Sequence, residues 1–421
     1  MDPDPPPKEG INFEDLPWNL NLPDEHYYVH ITTKTEWGKE HFDIETGTGL
    51  IVSSLFKYSE KPLQVFPSTT SLNYGTTIWE GLKCYRDKDG SPVVFRPDRN
   101  YERFVRGANA MCIPAPSKEL FLKGIQTVIQ KNGHLIPPRG DGMKLYVRPM
   151  LLGSGQQLGL HPSPQFSLLF FVSPTGNYFK GSSGGLNIHL ETKRSRAARG
   201  GIGNVKVAGN YAVALRPLMD AKKQNFHDNL YLELETYETG KLENAVLQEM
   251  SAANVFLVLK TGEIVTPSLN RGTILPGVTR ESVIAIVNKF ASEIMSSMIE
   301  STGKKAVTVS ITERDVSVGD LKNASEAFCT GTAAELVPIA RLATGEGEEE
   351  FVMKFPYGET VAGPVTAKLL ALLRQVMYGE ITVEKEWLQY PYAKSSVFCG
   401  KKKGPSNCDE NDKKKKKKED A

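Results

Sequence analysis

With 421 residues the chain is long enough for two or three packed domains, and its 24% charged and 9% aromatic content is ordinary for a globular enzyme. The formal net charge of +2 conceals a split: from Cys399 onward nine lysines face five acids, leaving 42 basic against 44 acidic residues, or −2, in the rest. A near-neutral body without a basic stripe argues against nucleic acid, and no apolar run reaches the ~18 residues of a membrane span, so neither is expected as a partner.

The first ten residues, MDPDPPPKEG, are acidic and proline-rich and read as disordered, with neither the apolar core of a secretory signal nor the Arg/Ser bias of a transit peptide. The five cysteines (Cys84, Cys112, Cys329, Cys399 and Cys408) are odd in number and widely spaced, which points to a reducing, cytosolic setting. A small domain is expected over 11–175. Within it Asp98 can cap a helix, DRNYERFVRGANAMCIP, that Pro114 stops, and KLYVRPMLL and FSLLFFV read as buried strands. Gly and Ser density rises in PTGNYFKGSSGG, giving a linker over 176–186. A larger domain over 187–398 follows, with strand runs NLYLEL, VFLVL and AVTVSI. After ILPGVTR, the positions Val283, Ile284, Ile286, Val287, Phe290, Ile294 and Met298 fit one broad helical face. From 399 the tail, with six lysines at 413–418, reads as solvated disorder. The fold class is α+β in two domains.

Glycine clusters invite a nucleotide-loop reading that fails on spacing. In GSGQQLG the third glycine falls one place late for a dinucleotide fingerprint, and GGIGNVK is not a Walker loop. The seven histidines never take metal-ligand spacing, so no metal is expected. Lys206, alone between two valines in GGIGNVKVAGNY, is different. Burial between apolar neighbours disfavours an ammonium, and a desolvated lysine can form a Schiff base with a carbonyl compound. Equally, a strand-edge lysine can snorkel to water.

A Schiff-base lysine working with pyridoxal phosphate needs an acid near the ring nitrogen and a phosphate cradle of backbone N–H groups, a hydroxyl and an arginine. Glu249 in QEMSAANVF can supply the acid. Val278 and Thr279, leading into the helix, can offer N–H groups, Thr332 of FCTGTAAELVP a hydroxyl, and Arg103 the guanidinium. In their order, LNYGTTIWEGLKCYR, VFRPDRNYERF, LYVRPMLLGSG, GNVKVAGNYA, EMSAANVF, ILPGVTRES and FCTGTAAELVP resemble the class IV aminotransferases of the branched-chain type, over residues from about 66 to 340.

That resemblance implies fold type IV, with a smaller α/β domain and a larger pseudo-barrel-like domain, and pyridoxal 5'-phosphate as cofactor. It implies that Lys206 is catalytic and that Arg103, Tyr211, Glu249, Val278, Thr279 and Thr332 bind the cofactor; Glu243 is the competing carboxylate. For substrate it implies Tyr74, Trp79, Tyr146, Arg148, Tyr178 and Ala333, with Leu158 and Leu160 reaching in from a second subunit of a homodimer. The implied reaction moves the amino group of leucine, isoleucine or valine to 2-oxoglutarate, in either direction. Relatives of the same fold acting on methionine-derived or D-amino acids, or as aminodeoxychorismate lyases, are the alternatives.

Overall fold

The computed structural model describes residues 5–21, 27–33, 50–140, 142–176, 184–238, 241–302, 308–345, 351–355 and 362–392. The expected tail and most of the linker, Tyr178 included, lie outside them.

The first sheet is antiparallel throughout. Its strands are β1 (Tyr27–Thr33), β2 (Leu50–Lys57), β3 (Thr77–Trp79), β4 (Leu82–Arg86), β5 (Pro92–Phe95), β6 (Lys144–Gly153) and β7 (Phe166–Thr175). They run β5-β4-β6-β7-β1-β2, with β3 also on β6, and the returning strand Leu388–Gln389 pairs with β5. The helices α1 (Thr70–Tyr74), α2 (Pro97–Ala110) and α3 (Lys118–Lys131) belong to this half. Phe104 of α2 and Phe121, Ile125 and Ile129 of α3 are buried in one core with Leu145, Leu168 and Phe170 of the sheet.

The second sheet contains β8 (Leu186–Glu191), β9 (Asp228–Glu233), β10 (Val246–Met250), β11 (Asn254–Leu259), β12 (Glu263–Pro267), β13 (Ser310–Arg314), β14 (Ala324–Gly331), β15 (Glu335–Ala343) and β16 (Val352–Lys354). Its order is β10-β9-β8-β15-β14-β11-β12-β13, with β16 on β15. The two ends of this path meet: Leu247 donates its amide to the Val316 carbonyl at 2.7 Å, and Val246 bridges Ser317. The sheet thus curls back on itself, the barrel-like form expected. Around it lie α4 (Gly209–Lys223), α5 (Leu234–Glu238), α6 (Val278–Thr302) and α7 (Pro364–Met377). By length and composition α6 is apolar enough to cross a membrane, against the expectation that no such segment exists. Its Val283, Ile286, Val287 and Ile294 are, however, buried in one core with Leu369, Leu373 and Val376 of α7.

Three local expectations change. The helix of the first half begins at Pro97, with Arg96 rather than Asp98 at the cap position. Proline fits a helix's first turn because its missing N–H would have no partner there, and Asp98 complements the helix dipole from within that turn. The helix ends at Ala110, before Pro114, because Cys112 turns to φ 52°. Of the strand expected over AVTVSI, residues 306 and 307 lie outside the described residues, 308 and 309 are not in a strand, and the strand runs over Ser310–Arg314. Residues 5–10, expected to be disordered, dock on the first half: Arg86 donates to the Pro5 carbonyl at 2.5 Å, and Lys8 donates its amide to the His134 carbonyl at 2.7 Å.

Candidate active site

Residues 205–208 run antiparallel to β3. Trp79 donates its amide to the Lys206 carbonyl at 3.2 Å, Ala208 donates to the Thr77 carbonyl at 2.9 Å, and Ile78 stands opposite Val207. Side chains alternate along an extended segment. Val205 and Val207 therefore enter the first sheet's core, while Lys206 points the other way, into a cavity of about 230 Å³ lined by both sheets. The valines anchor the segment; they do not enclose the amine, contrary to expectation. The cavity wall does that. Lys206 Nζ lies 3.9 Å from the Trp79 ring centroid and donates to the Tyr211 hydroxyl at 2.7 Å. Burial, followed by the charge of Arg103, brings the amine down to about 7.

Glu249, in β10, lines the same cavity. Its Oε1 is ion-paired with Arg196 Nη1 at 2.8 Å and accepts from the Leu275 amide at 2.8 Å, and its Oε2 accepts from Asn254 Nδ2 at 3.0 Å. Burial pushes this carboxyl above its ordinary value, and the Arg196 charge and the Leu275 amide oppose that rise. A Cβ on Gly277 would collide with the Asn254 side chain, so the glycine keeps Asn254 on Glu249. Glu243, the competing carboxylate, is instead an exposed surface residue paired with Lys322.

In the lining of the same cavity, Arg103 holds Glu80 in a fork, Nε to Oε1 at 2.7 Å and Nη2 to Oε2 at 2.8 Å, and donates from Nη1 to the Pro276 carbonyl at 3.0 Å. A guanidinium has five N–H groups, so these three bonds leave two for another anion. Burial alone would raise the Glu80 carboxyl, but Arg103 holds it below its ordinary value. Val278 and Thr279 open α6 beside Thr332, and the buried Thr330 hydroxyl has no protein partner. A helix N-terminus, spare guanidinium N–H groups and hydroxyls suit a phosphate. Together with the amine of Lys206 and the carboxylate of Glu249, they fit pyridoxal phosphate.

Of the expected substrate residues, Trp79, Tyr146, Arg148 and Ala333 line the cavity. Arg148 stacks on Trp79, Cζ 4.0 Å from the ring centroid, and donates to the Tyr146 hydroxyl from Nε at 3.1 Å and Nη2 at 3.0 Å. Tyr74 does not line its own chain's cavity. It ends α1 on the outside, its hydroxyl donating to the Leu158 carbonyl. Leu158 and Leu160 are 85% and 80% exposed beside it.

Sequence reasoning missed Trp18, Glu80, Arg196 and Asp228. Trp18 enters the cavity edge-on to Tyr146, centroids 5.1 Å apart, from the segment read as preceding the resembling region. Asp228 opens β9 on the cavity wall, and burial pushes its carboxyl up to about 6. Glu80 was within the quoted WEGLKCYR and was the detectable one: an acid flanked by Trp79 and Gly81 in a strand-forming run.

The sequence profile of the amino-transferase class IV family matches residues 77–342. A branched-chain-amino-acid aminotransferase 5, chloroplastic, of Arabidopsis thaliana is 38% identical over 337 residues, covering 79% of this chain and 73% of the relative. A methionine aminotransferase of Arabidopsis thaliana is 37% identical over 325 residues, covering 77% and 82%. The crystal structure of the PLP form of a branched-chain amino acid aminotransferase from Thermobaculum terrenum superposes with TM-score 0.63 at 19% identity, over 88% of this chain and 100% of that one, and shows the shared fold. Several of the relatives are named chloroplastic or mitochondrial, which lends no support to the expected cytosolic setting.

Proposed function

The chain belongs to the branched-chain group of the class IV aminotransferases, and from that premise we propose how its residues divide the work. The cofactor is pyridoxal 5'-phosphate, and the substrates are amino acids and 2-oxo acids. The reaction moves the amino group of leucine, isoleucine or valine to 2-oxoglutarate, giving branched 2-oxo acids and glutamate. One observation carries the assignment of roles: a buried amine brought down to about 7 stands between a hydroxyl and an aromatic face, in a cavity whose wall includes a carboxylate fixed on three sides.

When bound, pyridoxal phosphate supplies a conjugated cationic ring that accepts the electron pair released as the substrate's Cα–H bond breaks. Lys206 Nζ, its basicity brought down to about 7, can take that proton and return it two atoms away, across the amino nitrogen. Tyr211 accepts from Nζ and fixes where the amine can reach. Glu249 holds the proton of the ring nitrogen in place, and Arg196 and Asn254 keep its carboxylate aimed. Arg103, Val278, Thr279 and Thr332 hold the phosphate. Trp18, Trp79 and Tyr146 provide a dry wall for a branched side chain, whose burial contributes roughly 25 cal/mol per Å². Arg148 meets the second carboxylate of glutamate with charge-assisted hydrogen bonds.

The protein acts as a homodimer in this proposal. Leu72, Leu158, Leu160 and Phe66 are 63%, 85%, 80% and 61% exposed on one face with Tyr74. Such a face suits burial against a second copy, where Tyr74, Leu158 and Leu160 would complete the other subunit's pocket. The functional test is direct. Purified enzyme given 2-oxoglutarate and either L-leucine, L-methionine or D-alanine forms glutamate fastest with L-leucine; a preference for L-methionine or D-alanine would assign it to the alternatives.

A further inference from the structure

Behind the turn that closes the cavity lies a second hollow of about 30 Å³, whose lining includes Lys83, Tyr85, Glu335 and Met377. Val278, Thr279 and Thr332 border both spaces, so the phosphate cradle is a wall with the substrate on one side and a charge cluster on the other.

Glu335 is the anomaly in that cluster. It begins β15 directly after the turn of Thr332, Ala333 and Ala334, with φ 62°. A left-handed residue at the end of a hairpin turn is ordinarily glycine, which has no Cβ to strain. A side chain persists in such a conformation when its surroundings over-determine it, and here they do. The buried carboxylate accepts from Lys83 Nζ on β4 at 3.2 Å and from Arg374 Nε on α7 at 3.1 Å. It thereby ties the turn to both halves of the molecule. Lys144 of β6 donates to the Ala333 carbonyl at 3.4 Å, fixing the turn from a third element. Burial alone would raise the Glu335 carboxyl, yet the charges of Lys83, Lys144 and Arg374 bring it down to about 2. A buried ion cluster is poor support for stability but can define geometry.

We propose that Glu335 is a positioning residue for substrate: clamped by Lys83 and Arg374, it locks the β14–β15 turn so that Ala333 presents its backbone to the carboxylate of the bound amino or 2-oxo acid. The proposal rests on the aminotransferase reading above. It makes the clamp matter for ground-state binding of every substrate, because all of them carry that carboxylate, and far less for the proton transfer at Lys206.

The test compares the holoenzyme with Glu335→Gln, which keeps shape and loses charge, and Glu335→Gly, which relieves φ but removes the clamp. Three quantities are read: kcat and KM for L-leucine and 2-oxoglutarate, the Kd of 4-methylpentanoate by calorimetry, and hydrogen exchange of the peptide spanning 331–336. Both variants are expected to raise each KM and the Kd about tenfold with kcat within about threefold, and to speed exchange in that peptide. If Glu335→Gln folds poorly, Lys83→Met must show the same split to a smaller degree. Lys83→Arg, which keeps the ion pair, should restore wild-type KM. Unchanged KM and Kd in Glu335→Gln would overturn the proposal. So would losses of kcat, KM and melting temperature that move together, the mark of a purely structural role. Wild-type enzyme that neither turns over L-leucine nor binds 4-methylpentanoate would instead defeat the aminotransferase reading, and the clamp's assigned role with it.

Discussion

Arg196 Nη1 and Glu249 Oε1 lie 2.8 Å apart in a buried ion pair that fixes the carboxylate facing the cavity of Lys206. Removing one partner of a buried pair leaves the other charge uncompensated, at a cost of about 3–5 kcal/mol. Arg196→Met should therefore lower stability by about that amount in thermal or urea melts. It should also reduce kcat more than KM, since Glu249 then loses its charge partner and keeps only the Leu275 amide and Asn254 to aim it. A variant with wild-type melting and kcat would remove Arg196 from the account.

The buried lysines make the cofactor-free protein's stability depend on pH in a stated direction. Lys206 and Lys144 are each brought from 10.5 down to about 7 in the fold, by burial first and by a neighbouring cation second. Between those values the unfolded chain binds protons that the folded chain does not, so stability rises as pH rises through that window. Lys206→Met should flatten the rise in melting temperature above pH 7, measured without cofactor. An unchanged slope would mean that the amine is not desolvated.

Arg148 separates the two half-reactions. Hydrogen bonds to a charged group contribute about 1.5–3 kcal/mol, and only glutamate and 2-oxoglutarate carry a second carboxylate for it. Arg148→Met should thus cut kcat/KM for 2-oxoglutarate about 10- to 100-fold while changing that for L-leucine less than about fivefold. Equal losses on both would show that Arg148 acts only by packing on Trp79.

Gly277 tests the positioning of Glu249 from a different side. A Cβ there would strike Asn254, which bonds Glu249 Oε2 and the Leu275 carbonyl. Overpacking of this kind costs about 1–3 kcal/mol. Gly277→Ala should weaken cofactor retention on dialysis, and Gly277→Ala with Asn254→Ala should fold better than the single variant.

Much of this site was legible in the sequence because its residues lie in short segments with unusual neighbours. Lys206 between valines stood out, and Glu249, Arg103, Thr279 and Thr332 could be ordered around it. The physical reason first attached to the valines was wrong. They bury themselves in the first sheet and, by strand alternation, turn Lys206 toward the cavity. Arg196 was not singled out, because a buried charge in an ordinary polar run announces itself only through its partner, and Glu249 is 53 residues away; Glu80 had a local signal, an acid between Trp79 and Gly81, that was passed over. Trp18 was unreadable for a similar reason: its contact with Tyr146 belongs to a segment docked on β7 through partners far along the chain, Asn21 to Ser173 and Pro174 among them. Tyr74 shows the opposite limit. Its motif was recognisable, but whether it faces its own cavity or outward depends on where α1 packs.

If Lys206 is the residue that carries the cofactor, trapping that linkage chemically identifies it. Reducing the holoenzyme with borohydride links the cofactor to whichever lysine holds it, and peptide mapping by mass spectrometry identifies that lysine. A phosphopyridoxyl group is expected on Lys206 and on no other residue. Label on Lys83 or Lys144, both buried lysines of lowered basicity, or on no lysine at all, would contradict it.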